Sequence, residues 1–112
     1  MLDQKKWLEM SLAQQLGNIG SEISKAFYWD KKDKAMAQET AGRALELFDL
    51  TISDKRWRSK IKEIFKMRSI FCDTFFNLGN FKVSQKSIEE YFIPFAILAN
   101  KNRFNETAKT QK

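Results

Sequence analysis

The sequence predicts an all-α protein, a single-domain antiparallel four-helix bundle, on three observations. Apolar residues recur every three or four positions along most of the chain, which is the period of one helical face. The chain contains only one Pro and four Gly, too few for the turns that many short strands would need. A chain of 112 residues builds one core, and ten Phe and three Trp supply much of its apolar surface.

The first helix is predicted from about Gln4 to Tyr28. Its apolar stripe consists of Leu8, Leu12, Leu16, Ile19, Ile23 and Phe27. A second stripe of small residues consists of Ala13, Gly17, Gly20, Ser21 and Ser24. Small side chains let a neighbouring backbone approach closely, so this stripe predicts close helix packing. The alternative is a local break near the two glycines, because glycine weakens a helix interior.

The second helix is predicted from about Ala35 to Ile52, after a polar connection at 29–34. The third is predicted from about Lys55 to Phe76, with Ser53 or Asp54 as its cap. The inner stripe of helix two consists of Ala37, Ala41, Ala44, Leu45, Phe48 and Ile52. The inner stripe of helix three consists of Trp57, Ile61, Ile64, Phe65, Phe71, Cys72 and Phe75. The short link between the two helices predicts antiparallel neighbours.

The fourth helix is predicted to begin at Ser84 or Ser87, after a loop in which Gly79 suits the left-handed position. Its inner stripe is Ile88, Tyr91, Phe92, Phe95, Leu98 and Ala99. Pro94 lies within this stripe and should kink or interrupt the helix. We therefore expect a helical bundle over residues 1–99 and a polar, frayed tail over residues 100–112.

The chemistry that the sequence lacks argues against an enzyme. The chain has no histidine, so it lacks the commonest general base and the usual zinc ligand. Gly17-Asn-Ile-Gly20 lacks the lysine of a phosphate-binding loop. Glu89 and Glu90 point about 100° apart on a helix and do not converge on a metal. Cys72 falls on an apolar face and is expected to be an inert thiol. We expect no cofactor and no metal site.

Hydropathy predicts a cytoplasmic protein without a membrane partner. No apolar run is long enough to span a bilayer, and no apolar stretch of a signal peptide follows the N-terminus. The net charge is +6, and the basic excess falls entirely in residues 53–112. Such segregation favours an anionic partner.

Arg68 is predicted to lie in the middle of the apolar stripe of helix three. A buried arginine needs a carboxylate partner or must extend its charged end to water. The nearest candidates on the antiparallel helix two are Asp49 and Glu46. The main interpretation is a structural ion pair, and the alternative is a role at an oligomer interface or ligand pocket.

A basic cluster opens helix three and is the candidate nucleic-acid-binding surface. It consists of Lys55, Arg56, Trp57, Arg58, Lys60, Lys62 and Lys66. Basic side chains beside an aromatic ring can hold phosphates and stack on a base. The other interpretation is a solvated charged face, with Trp57 closing the end of the bundle.

The segments Ser11–Ser24 and Arg43–Ile52 resemble short prokaryotic helical proteins without an assigned activity. In size, basic balance and helix pattern the chain is also similar in architecture to ribosomal-intervening-sequence and retroelement-accessory bundle proteins, which bind nucleic acid or a polymerase partner as small rings. The sequence predicts a non-enzymatic binding or assembly module that acts through a protein partner or as a homo-oligomer. The alternative is a nucleic-acid-binding accessory protein that uses the basic face of helix three and the C-terminal tail.

Overall fold

Helices account for most of residues 4–110, the part of the chain described by the computed structural model, with side chains described through Lys101. The elements are α1 (Gln4–Glu9), α2 (Leu12–Asp30), α3 (Lys34–Ile52), a 3-10 helix (Lys55–Lys60), α4 (Ile61–Phe75) and α5 (Gln85–Thr110). Residues 4–110 contain no strand, so the predicted all-α class is confirmed for this part of the chain.

The predicted first helix is in fact two helices, and the break lies at Met10–Ser11. Ser11 caps α2: its Oγ accepts a hydrogen bond from the Gln14 amide at 3.1 Å, and the Gln14 side chain accepts one from the Ser11 amide at 2.8 Å. This reciprocal capping box begins a new helix at Leu12. α2 then continues through Gly17 and Gly20, so the alternative of a break at the glycines is wrong.

The predicted third helix also consists of two elements. Asp54 caps the 3-10 helix by accepting from the Arg56 amide at 3.1 Å. Trp57 then has non-helical backbone angles, with φ −104° and ψ 24°, so the regular α-helix begins only at Ile61. α3 begins directly after the polar link, and Asp33 caps it by accepting from the Met36 amide at 3.2 Å.

The last helix is longer than predicted. Ser84 precedes α5 and its Oγ accepts from the Ser87 amide at 3.1 Å, as expected for one of the two proposed caps. α5 does not end near Ala99 but continues to Thr110, and Pro94 does not interrupt it. Pro94 is exposed, so the carbonyl that its missing amide leaves unpaired is on the solvent side. The division into a bundle of residues 1–99 and a tail of residues 100–112 stays a prediction, and Gln111 and Lys112 lie outside the described residues.

α2 is the central helix and packs most extensively against α3 and α5. Phe27 of α2 meets Phe71 of α4 edge-to-face at a centroid distance of 5.7 Å, and Phe48 of α3 meets Phe92 of α5 at 6.1 Å. These aromatic pairs bring all four long helices into one apolar core. The predicted stripe residues Leu8, Phe65 and Leu98 are among those outside that core, since each is about half exposed.

Candidate interaction surface

The exposed surface of α5 is apolar in its middle and charged at its ends, and at Ile93 it borders the groove between α5 and α2. We define the α5 outer face as Glu90, Ile93, Pro94, Ile97, Leu98 and Lys101, all of which are exposed. The exposed fractions of the three aliphatic side chains are 51% for Ile93, 62% for Ile97 and 47% for Leu98. Large apolar side chains this exposed and this close together are typical of interaction surfaces.

The opposite side of α5 packs against the small residues of α2. A Cβ built on Gly20 would lie 2.5 Å from Phe92 Cβ, and one on Gly17 would lie 3.2 Å from Ala96 Cα. Two members of the predicted small-residue stripe therefore lie where α5 comes closest. Ser21 and Ser24 line a shallow groove of about 180 Å³ along the same contact, and Ala13 is buried. The absence of side chains at the two glycines brings α5 close enough to hold its outer face in position.

Tyr91 lies on the side of α5 that contacts α4. Its hydroxyl donates to the Glu63 carboxylate at 2.7 Å, and its ring lies 5.6 Å from that of Phe95. Burial, together with the bond to Glu63, raises the pKa of the Tyr91 hydroxyl well above its usual range. The α5 outer face is thus supported from both sides by packed residues.

A second exposed apolar group lies in the connection between α4 and α5. Phe76, Leu78 and Phe81 are each about half exposed or more. The connection has a fixed backbone because the buried Asp73 carboxylate accepts from the Asn80 amide at 2.8 Å and from the Phe81 amide at 2.9 Å. The hydrogen bond from the Phe81 amide is the largest cause that lowers the pKa of the Asp73 carboxyl, and the bond from the Asn80 amide lowers it further.

Two members of the predicted nucleic-acid cluster hold the fold together. Arg56 Nη2 lies 2.7 Å from Asp54 Oδ2 and 2.9 Å from the Met10 carbonyl, and its guanidinium stacks 4.5 Å from the centre of the Trp57 ring. The Trp57 indole donates to the Gln15 side-chain oxygen at 2.9 Å. These contacts occupy part of each side chain, and the Arg56 side chain is still 41% exposed.

The remaining basic residues of the cluster point to solvent. Lys55, Arg58, Lys60, Lys62 and Lys66 are exposed and form no ion pair with any described residue. Lys62 and Lys66 are one helical turn apart on α4 and lie on the same side. These five residues and the partly buried Trp57 keep their place in the candidate nucleic-acid-binding surface, which stays a prediction.

Arg68 lies beside Asp49, one of its two predicted partners. Arg68 Nε is 2.8 Å from Asp49 Oδ1, and Nη2 is 3.4 Å from Oδ2. Its side chain is 29% exposed and that of Asp49 is 61% exposed, so the charges meet at the edge of the core and not inside it. Glu46, the other candidate, instead lines a cleft between α1, α2 and α3.

That cleft has a volume of about 440 Å³. Trp7, Met10 and Leu47 contribute apolar walls, while Arg43 bridges its rim to Glu22 at 3.4 Å. The rim charges neutralise each other, and no group of three or more potential metal ligands occurs among the described residues.

Sequence reasoning missed the buried polar network centred on Gln15. The Gln15 amide donates to the Trp7 carbonyl at 2.8 Å and to Asp54 at 3.2 Å. The Trp7 indole donates to the Thr51 hydroxyl at 3.2 Å, so the network joins α1, α2, α3 and the 3-10 helix. A glutamine in phase with an apolar stripe was the only signal available, and it does not identify partners about 40 positions away.

Cys72 is half-buried beside Arg68, and burial raises the pKa of its thiol. No helix among the described residues has both the length and the apolar character needed to cross a bilayer. The resemblance to short prokaryotic helical proteins stays a prediction, because no family model, no curated protein and no solved structure matches this chain.

Proposed function

We propose that the protein is a non-enzymatic helical module that acts through contact with another protein or with itself. The observation that carries this proposal is the run Tyr91–Ala99, in which every residue is apolar although Ile93, Ile97 and Leu98 are each about half exposed or more. A helix that is apolar on all sides is normally covered on all sides. The α5 outer face therefore favours a partner that shields Ile93, Ile97 and Leu98 from water.

We further propose the antiparallel four-helix arrangement for the scaffold of this module, with α1 as a short addition. Two contacts between α2 and α5 support this proposal, because they run in opposite chain directions. Gly17 lies near Ala96 while Gly20 lies near Phe92. Asp49 pairs with Arg68 across α3 and α4, close to the turn that joins them. An arrangement of this kind leaves one side of each helix at the surface.

Site-specific photo-cross-linking tests the proposed function. A photoreactive amino acid at position 97 is expected to give covalent protein adducts in cells that produce the protein, and mass spectrometry would identify them. Gln38 is the matched control, since it is exposed on α3 away from the α5 outer face. Adducts that are no more abundant at position 97 than at position 38 would contradict the proposal.

A nucleic-acid-binding role is the second candidate, favoured by the unpaired, exposed basic residues on the 3-10 helix and α4. Arg58, Lys62 and Lys66 could contact phosphates without disturbing the core. Their charges and the net charge of +6 support attraction to a polyanion, but not recognition of a base.

Titration against labelled single-stranded RNA and duplex DNA at several salt concentrations tests this second role. Binding through phosphates must weaken steeply as salt rises. Reversing the charges of Lys62 and Lys66 should reduce the salt dependence, whereas Lys31→Glu and Lys32→Glu, at the far end of α2, should change it less. No binding at low salt would exclude the role. Arg56 is unsuitable for this test, because its loss would disturb Asp54.

A further inference from the structure

We propose that the α5 outer face binds the same face of a second copy of this chain, with the two α5 helices antiparallel. The inference rests on the proposed function and names the partner. It follows from the order of residues along the face, which reads acidic, apolar and basic from Glu90 to Lys101.

The six residues of the α5 outer face are arranged symmetrically about the midpoint between Phe95 and Ala96. Glu90 and Lys101 are equally far from this point, as are Ile93 and Leu98, and Pro94 and Ile97. At about 100° per residue the six positions fall within a sector of roughly 140°. A two-fold axis through this point would place each residue opposite its counterpart, which is the condition for an isologous interface.

The charges select the antiparallel alignment. Glu90 and Lys101 are about 17 Å apart along the helix. In a parallel pair, Glu90 would face Glu90 and Lys101 would face Lys101. In the antiparallel pair, each Glu90 faces the Lys101 of the other copy, so two opposite-charge pairs flank the apolar centre. The Lys86–Glu90 ion pair within α5 is long, at 3.9 Å, and leaves the Glu90 side chain 58% exposed.

The size of the face predicts a reversible dimer. A contact along one helix covers less than the roughly 800 Å² per partner of a standard stable interface. Assembly should therefore depend on protein concentration. The apolar middle of the face provides affinity, while the end charges provide direction and register.

Sedimentation across a concentration series tests the dimer. The wild-type chain is expected to shift from monomer to dimer as concentration rises. Ile97→Lys should abolish the shift, because it places a charge at the centre of the face. Leu8→Lys is the matched control, since Leu8 is 50% exposed on α1 and outside the face; it should dimerise as the wild type does. Circular dichroism checks that each variant remains helical.

A charge exchange tests the antiparallel alignment without changing the apolar centre. Glu90→Lys and Lys101→Glu should each raise the dissociation constant about tenfold, since symmetry repeats every like-charge contact twice. The double variant should return to within about threefold of the wild type. A double variant that binds no better than either single one would overturn the alignment.

The outcomes also separate this inference from the proposed function. A chain that stays monomeric at every concentration overturns the dimer, as does equal loss of association in Leu8→Lys and Ile97→Lys. If position 97 then cross-links to a different protein, the proposed function stands and only the partner is wrong. If no protein adduct forms there, both proposals fail.

Discussion

The side chain of Gln15, in α2, forms hydrogen bonds with α1, with Asp54 and with the 3-10 helix. This side chain is fully buried. The amide oxygen accepts a hydrogen bond from the Trp57 indole, and the amide nitrogen donates to the Trp7 carbonyl and to the Asp54 carboxylate. Gln15→Leu would leave buried donors and acceptors without partners, which typically costs about 1–3 kcal/mol for each unsatisfied group. We expect a loss of unfolding free energy in that range, measured by urea denaturation. Gln38→Leu makes the same chemical change on an exposed face of α3 and should shift stability by less than about 0.5 kcal/mol.

Asp54 gives the same network a pH dependence. Its hydrogen bonds from Arg56 lower the pKa of the carboxyl from 3.8 to about 2, against the opposing effect of burial. Because the pKa is lower in the folded state, the ionised carboxylate stabilises the fold above pH 3.8, and this contribution is lost as pH falls toward 2.

Asp54→Asn should therefore lower stability at neutral pH and reduce the loss of stability between pH 4 and pH 2. Chemical denaturation at a series of pH values measures both effects. Equal slopes for the variant and the wild type would show that the Asp54 carboxyl does not titrate in this way. Asp73 shifts in the same direction, so some acid sensitivity should remain in the variant.

Arg68 and Asp49 form an ion pair that is partly open to solvent, and such pairs contribute at most about 1 kcal/mol. Arg68→Leu should keep the helical content and the association behaviour of the wild type, with a stability change within about 1 kcal/mol. Thermal unfolding and sedimentation provide the two measurements. A loss of association with unchanged helicity would instead assign Arg68 to an interface.

Two helical glycines are expected to respond in opposite ways to alanine, because Gly20 lies at the contact between α2 and α5 and Gly42 lies on an open side of α3. A Cβ on Gly20 would overlap Phe92 Cβ, which is too close to the α5 backbone to move away by itself. Gly20→Ala should destabilise the protein by about 1–3 kcal/mol. Gly42, inside α3, has no atom within 4 Å of such a Cβ, so Gly42→Ala should stabilise by about 0.4–1 kcal/mol.

Denaturant midpoints of the two alanine variants give the comparison directly. A Gly20→Ala variant as stable as the wild type would mean that the two helices separate easily. In that case the position of the α5 outer face would not depend on the glycine contact.

Helical periodicity predicted where most helices lie, but not where they break. Apolar spacing continues from Trp7 through Leu16, so the sequence predicts one helix, although the Ser11 capping box ends α1 and begins α2. Trp57 is likewise in phase with α4, yet its indole reaches Gln15 and its backbone leaves the helical region. In both places a local hydrogen-bond arrangement overrides a periodic pattern, and spacing alone contains no information about it.

The candidate surface was harder to predict than the fold because an apolar residue in phase with a core stripe is not necessarily buried. Phe65 and Leu98 fit their stripes and are exposed. Arg56 fits a phosphate-binding cluster but pairs with Asp54. Which side of a helix is covered depends on where the other helices lie, and that is a property of the assembled chain.

At the scale of the whole molecule, the network around Gln15 should make unfolding a single event. Trp7 is 1% exposed and reaches Thr51 across the sequence, while Trp57 joins the 3-10 helix to α2. In a Trp29→Phe variant, which removes the tryptophan at the far end of α2, tryptophan fluorescence reports on this junction, and circular dichroism reports on all the helices. The two urea transitions should coincide at a concentration where the chain is monomeric. An earlier fluorescence transition would show that α1 and the 3-10 helix separate first.

The rate at which the Cys72 thiol reacts can report on the contact between α3 and α4 without any substitution. It is the only sulfhydryl in the chain, and its raised pKa keeps the reactive thiolate scarce in the folded protein near neutral pH. Alkylation by a maleimide should therefore be slow in the native state and fast in urea. Its rate in native buffer would then report how often the edge of the core beside Arg68 opens to solvent.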